Sequence, residues 1–290
     1  FTGALTFVMG LTMKETNPGI NLVKKAKRIR AETGDNRYKA PFEVRQINLK
    51  ELASQRLIIP LHMLMVRILR VQTGLTFQVE PMLLGVTVYI SFVYGVLYLF
   101  FDAYPVVFRE LHDMTPIQIG LTFVPLMVGC LLGTTYYVLF ENKIYLKRLE
   151  KSPTNTVPPE FRLRLTMAAG PILTASLFWF AWTSFSGISV WPPIVAGGFY
   201  GLGIFFIMNS LFTYMADTYG VLTASAMAAN TIVRSGFGVG FPLFATQMYH
   251  KLNPRWATTV LAFISLVLVP IPFLLFKFGP QMRAKTRYAI

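Results

Sequence analysis

The sequence predicts an all-α integral membrane protein, and three observations carry the prediction. Charged residues make up only 14% of the chain while apolar ones reach 54%; soluble domains usually carry about 25% charge. Uncharged stretches long enough to cross a bilayer recur from residue 81 onwards. The net charge of +14 is gathered between those stretches rather than spread through them. A water-soluble fold of this size would have to expose apolar surface that water penalises, whereas lipid accepts it.

Residues 1–13, FTGALTFVMGLTM, read as the end of a transmembrane helix cut in mid-membrane, with neither a basic leader nor a cleavage pattern. The expectation is therefore of a chain that is part of something longer. Residues 14–80 form a basic loop with thirteen Lys and Arg. Its segment INLVKKAKRIR has the pattern of a short amphipathic helix at an interface, punctuated by TGDN. Residues 49–71 also carry apolar positions at helical spacing. Arg56, Arg67 and Arg70 argue against a span there, so a surface-lying segment is expected.

A membrane bundle is expected over 81–290. Pro81–Phe101 and Met114–Phe140 are charge-free. So is Leu165–Ala216, which is long enough to cross twice and is broken by the turn-forming TSFSGISVWPP. Thr218–His250 holds one charge, Arg234, and Trp256–Phe276 holds none. These runs predict six spanning helices over about 82–101, 119–139, 165–183, 193–215, 226–249 and 256–276. Trp182, Trp191, Tyr249 and Trp256 fall near their ends, where an aromatic belt would place them.

The charges then orient the bundle. Loop 14–80, the connection 141–164 with six cations and the tail from Lys277 with four share one side, whereas the other side has only Arg109, Lys251 and Arg255. Positive loops stay cytoplasmic, so the central loop and the C-terminus are expected in the cytosol. Nucleic acid, the usual partner of a basic soluble chain, is not expected, because the cations do not interleave with aromatics on a water-facing surface. The lipid bilayer is the partner that fits.

Several long phrases point further. KETNPGINLVKKAKRIRAETGDNRYKAP, YISFVYGVLYLFFDAYPVVF, PPEFRL, SAMAANTIVRSGFGVGFPLFATQMYHKL and WATTVLAFISLVLVPIPFLLFKFGPQMRAKTRYA resemble, in order, the fungal drug:proton antiporters of the major facilitator superfamily. The resemblance runs nearly end to end and corresponds to the end of helix six, the central loop and helices seven to twelve. It implies a C-terminal six-helix bundle that works with an N-terminal six-helix half. It also implies proton-coupled export of drugs, polyamines or other amphipathic small molecules, no cofactor, no enzymatic activity and a place in the plasma membrane. The same fold could serve an importer or facilitator, and a truncated, non-transporting membrane protein is the reading from another class. Between PLHMLM and VEP, residues 66–78 add thirteen residues to the family spacing. A retained intron would explain them, and mature transcripts that keep the segment would refute that.

Ionisable and polar groups inside the spans are candidates for the substrate and proton pathway, since burying them is costly. Asp102 is expected to end the first helix of this bundle. The family commonly carries an acid there, so it either binds a cation or proton or is a solvated helix-end charge. Arg234 interrupts the fifth span, to pair with an acid of the other half, to steer cations and protons, to serve a structural or gating role, or to snorkel towards headgroups. Asp217 is expected in water, with Arg234 as its alternative partner. Tyr89, Tyr94, Tyr98 and Phe101 are spaced to share one helical face that could stack an amphipathic ligand or merely contact a neighbouring helix. Asn209 and Asn230 either bond across helices or line a cavity. Gly197, Gly198, Gly201 and Gly203, and the series Gly236, Gly238 and Gly240, predict close helix contact. The lone Cys130 and the scattered His62, His112 and His250 offer no metal-ligand spacing.

Overall fold

A computed structural model describes residues 18–35, 37–39, 81–152 and 157–285. The expected helix end at 1–13, the surface segment at 49–71, His62 and the insertion at 66–78 lie outside the described residues. The chain divides into two units, residues 1–55 and 56–290.

In the first unit, helix α1 spans Pro18–Thr33. Proline suits the first turn because its missing N–H has no intrahelical partner there in any case. Arg28 and Glu32 pair one turn apart at 2.9 Å, both exposed. Gly34 ends the helix at φ 68°, its N–H donating to the Arg30 carbonyl at 2.9 Å. A β-carbon would oppose that left-handed turn.

The second unit is built of apolar helical rods. Among the described residues, five continuous runs are long and apolar enough to cross a membrane, namely Met82–Glu110, Pro116–Lys151, Pro159–Thr183, Trp191–Tyr219 and Thr223–Ala284. No strand occurs among the described residues.

The first rod is α2, Pro81–Tyr104, continued by a wide π-helical turn over Pro105–Glu110. The rod was expected to end near Phe101 but runs nine residues further. Pro105 removes one N–H, and the wide turn absorbs that loss without breaking the ladder. Ala103, Tyr104, Val107 and Phe108 are fully buried beyond the expected end, so contacts with other rods hold the extension.

The second rod opens at α3, Pro116–Leu121, under a reciprocal cap. The Thr115 side chain accepts from the Gln118 N–H, and the Gln118 side chain accepts from the Thr115 N–H at 2.9 Å. It continues through α4, Val124–Tyr136, a π-turn at Tyr137–Glu141, and α5, Asn142–Lys151. Helix thus occupies the first part of what was expected to be a loop from 141. A short 3₁₀ turn, Pro159–Arg162, leads into α6, Leu163–Thr183, and α7 spans Trp191–Tyr219.

The last run, α8 at Thr223–Leu268 with α9 at Pro270–Lys285, is bent at Asn253, where φ is 63° and ψ 151°. Pro254 disfavours helical ψ in the residue before it, and the helix is interrupted there. Tyr249 and Thr258 share a hydrogen bond of 2.7 Å between their hydroxyls. Nine residues of straight helix would separate their backbones by about 13.5 Å, so this bond records a fold-back. The arm before the bend lies on α2, with Phe241 edge-on to Phe92 at 6.1 Å. The arm after it lies on α6, where Thr174 and Ser265 hydroxyls meet at 2.7 Å. Counting both arms, the described residues form six rods.

Small residues set the closest approach. A β-carbon added at Gly129 would overlap the Gly198 carbonyl oxygen, and one at Gly201 would overlap that of Leu126. The expected close face on α7 is therefore answered by α4. In the later glycine series only Gly238 meets a neighbour, Tyr94 of α2 at 3.0 Å, whereas Gly236 and Gly240 face open space. The core gathers Phe100, Tyr104, Phe108, Phe180 and Tyr200, all fully buried. The Tyr200 hydroxyl donates to the Val93 carbonyl at 2.7 Å. Trp182, Trp191 and Trp256 are exposed, as a belt requires. Tyr249 is fully buried instead, because its hydroxyl has an internal partner at the bend.

Candidate small-molecule face

The strip expected on the first rod is present in part. Tyr94 donates to Tyr98 hydroxyl to hydroxyl at 3.0 Å, with their ring centroids 4.7 Å apart. Tyr98 stands edge-on to Phe101 at 5.8 Å, and Phe101 stacks on Phe123 at 5.3 Å. Phe101 is 53% exposed and Tyr98 36%, so ring surface is offered outward rather than used up inside the bundle. Tyr89 does not join them. It is fully buried, with its hydroxyl facing Gly170 of α6, because five residues turn it about 140° away from Tyr94.

Asp102 lies one turn beyond Tyr98 on the same face, half-exposed and without an ion pair or hydrogen bond among the described residues. It sits within the first rod, eight residues before Glu110, and so does not end it.

Arg234 comes from the arm before the bend. Its guanidinium lies 4.7 Å from the Tyr94 ring centre and 5.6 Å from that of Phe212 on α7. It bridges two rods through aromatic faces, and its Nε has no hydrogen-bond partner among the described residues. Asn230, one turn earlier, is fully buried with neither amide atom bonded. Asn209, one turn before Phe212, is half-buried with its Nδ2 unbonded. Three rods thus bring Tyr94, Tyr98, Arg234 and Phe212 together, with Phe101 and Asp102 continuing the face. Chemically the face combines stacking surface, one cation held over rings and one carboxylate. Phe212 was not singled out from sequence; its spacing of three from Asn209 is the signal that could have found it. Among the described residues no three metal-ligating side chains converge.

Ionic ties close the two ends of the bundle. Arg162 holds Asp217 at 2.9 Å and the Tyr137 hydroxyl at 3.3 Å. Asp217 was expected in water or beside Arg234; the 3₁₀ turn instead aims Arg162 at the end of α7. Arg283 of α9 holds the buried Glu160 at 2.9 Å. At the opposite end His250 meets Glu110 at 3.2 Å beside a cavity of about 280 Å³, lined by residues that include Tyr249 and Asn253. Residues 157–162, 217–222 and the end of α9 therefore share one end of the bundle, and Glu110, His250 and the bend share the other.

Apolar rods joined alternately at two opposite ends define a multi-pass integral membrane protein. Comparison with known proteins places it more closely. The chain is 37% identical, over all 290 of its residues, to the citrinin biosynthesis cluster MFS transporter of Monascus ruber, of which it covers 54%. It is 35% identical over 97% of its length to an efflux pump of Aspergillus terreus, covering 57% of that protein. It is 36% identical over its full length to a multidrug transporter of Candida glabrata, covering 48%. No protein-family model matches the chain, and no solved structure does. Over its full length the chain resembles fungal transporters of the major facilitator superfamily, which are named as multidrug and efflux transporters. It spans about half the length of the curated relatives it matches.

Proposed function

We propose that this chain is the C-terminal half of a proton-coupled exporter of drugs, polyamines or other amphipathic small molecules. The half that completes it would be an N-terminal six-helix bundle. The observation that carries the proposal is the outward face of Tyr94, Tyr98, Phe101 and Asp102, with Arg234 held over Tyr94 and Phe212. A flat, partly apolar cation would stack on the rings and be drawn by the carboxylate. Asp102 is also the one half-exposed acid on that face, and so the group to carry a proton against the substrate. The relatives' names, efflux pump and multidrug transporter, support the same direction.

In this reading substrate lies between the two halves, and the rods rock about it. The end bearing Arg162, Asp217, Glu160 and Arg283 faces the cytosol of a plasma-membrane protein, as the surplus of cations on that end supports. The test is efflux of a cationic dye from proteoliposomes containing the full-length protein, with and without an imposed pH gradient. Efflux should follow the gradient, and D102N should reduce it at least tenfold. Gradient-independent flux would reject proton coupling. Unchanged efflux in D102N would reject the role of this carboxylate. Liposomes holding only these 290 residues should show no efflux.

A further inference from the structure

The connection between the second and third rods carries chemistry that the transport reading does not use. Phe161, in the 3₁₀ turn, is buried, and two guanidiniums flank its ring. Arg148 of α5 lies 4.6 Å from the ring centre and Arg164 of α6 lies 5.2 Å from it. Beside them Arg162 covers Tyr145 at 3.6 Å, and the rings of Tyr145 and Phe161 are 6.3 Å apart. Three arginines thus converge on two adjoining rings. Among the described residues the ion pair made by this cluster is that of Arg162 with Asp217. Arg148 and Arg164 are exposed and form no ion pair among the described residues. Like charges brought this close without a counter-charge leave a place for an anion.

Two further observations say which anion. The rod Pro116–Lys151 has 36 residues, about 54 Å of helix, against a hydrocarbon core of about 30 Å. Its last turns therefore leave the core and stand at headgroup depth. There α5 exposes Ile144 and Leu146 beside Lys143 and Lys147. A free anion has no use for exposed aliphatic side chains, whereas a lipid meets them with its glycerol and upper acyl chains. The two guanidiniums, at 4.6 Å and 5.2 Å from one centre, stand at most about 9.8 Å apart. A phosphate has oxygens enough to accept charge-assisted hydrogen bonds from both.

We propose that the junction of α5, the 3₁₀ turn and α6 binds the headgroup phosphate of an anionic phospholipid. Arg148 and Arg164 are its ligands, and Phe161 is the platform that holds them. The proposal rests on the bundle spanning a membrane and not on what it transports.

The test uses the chain in phosphatidylcholine nanodiscs doped with phosphatidylinositol 4-phosphate, with co-purifying lipid counted by native mass spectrometry. The chain should retain the anionic lipid preferentially, and R148Q/R164Q should lower retention about tenfold. R109Q/K251Q, two charges removed at the other end, should leave it unchanged. Equal retention in R148Q/R164Q overturns the proposal, as does an equal loss in R109Q/K251Q, which would reveal bulk charge alone. Inorganic phosphate displacing the lipid at low millimolar concentration would also overturn it, by showing a site for the free anion. Should R148Q/R164Q lose helicity, R148K/R164K decides. That variant keeps the charge but not the fork, and its retention should fall severalfold; retention equal to the parent's overturns the arginine assignment.

Discussion

Gly201 offers the sharpest test of how the rods are held together. A β-carbon there would overlap the carbonyl oxygen of Leu126, and Leu126's own Cα and C stand at 3.1 Å and 2.9 Å from it. The obstacle is main chain, so no side-chain rotation relieves it. The substitution G201A must push α7 away from α4. A gap of about 1 Å along such a contact forfeits a quarter to a half of its dispersion attraction. Overpacking in a close contact costs about 1–3 kcal/mol, and a backbone obstacle places G201A near the upper end. G240A is the matched control, since a β-carbon there meets nothing within 4 Å. Alanine's better helix propensity should leave it neutral or stabilise it by up to about 1 kcal/mol. Unfolding of both variants in detergent micelles can be followed through the four tryptophans. G201A should unfold at distinctly lower denaturant and G240A should not. If the two variants behave alike, backbone contact is not what binds these rods.

Three other outcomes are expected. A double-mutant cycle on Arg162 and Asp217 should show coupling of about 1–2 kcal/mol, because the pair is only 15% and 30% exposed; coupling near zero in the same unfolding assay would make it a surface pair. Y249F should cost about 1–2 kcal/mol, since it also strands the buried Thr258 hydroxyl; no loss on denaturant titration would mean that the bend needs no such tie. In the full-length protein Y98A should weaken export of flat cationic dyes severalfold while sparing small aliphatic ones, measured as efflux rates side by side; equal effects on both would show that the ring is not a stacking surface.

Much of this architecture was legible in the residues. Charge-free runs locate the rods because lipid imposes apolarity over a length fixed by its own thickness. Rod ends were legible less well. Expectation stopped the first at Phe101 because the charge-free run ends at Asp102, yet burial of Tyr104 and Phe108 outweighs that charge and the N–H missing at Pro105. The bend at Asn253 is written in Asn-Pro, but the pairing of Tyr249 with Thr258 is not, since periodicity does not say which hydroxyl will have a partner. On the candidate face, spacing grouped Tyr94 with Tyr98 correctly and Tyr89 wrongly, because a separation of five drifts off a helical face where four does not. The placing of Arg234 over Tyr94 and Phe212 depends on three rods at once, and no single stretch of sequence contains it.

The bend has a consequence for how the protein is made. Its last two rods are joined by a single non-helical residue, so no slack exists for one to settle in lipid while the other waits outside. A turn this short favours insertion of Thr223 to Lys285 as one helical hairpin. With the tail on the cytosolic side, as proposed, Lys251 and Arg255 are hauled across together at its tip. Biogenesis of this half would then hinge on an Asn-Pro pair far from any surface that meets a substrate.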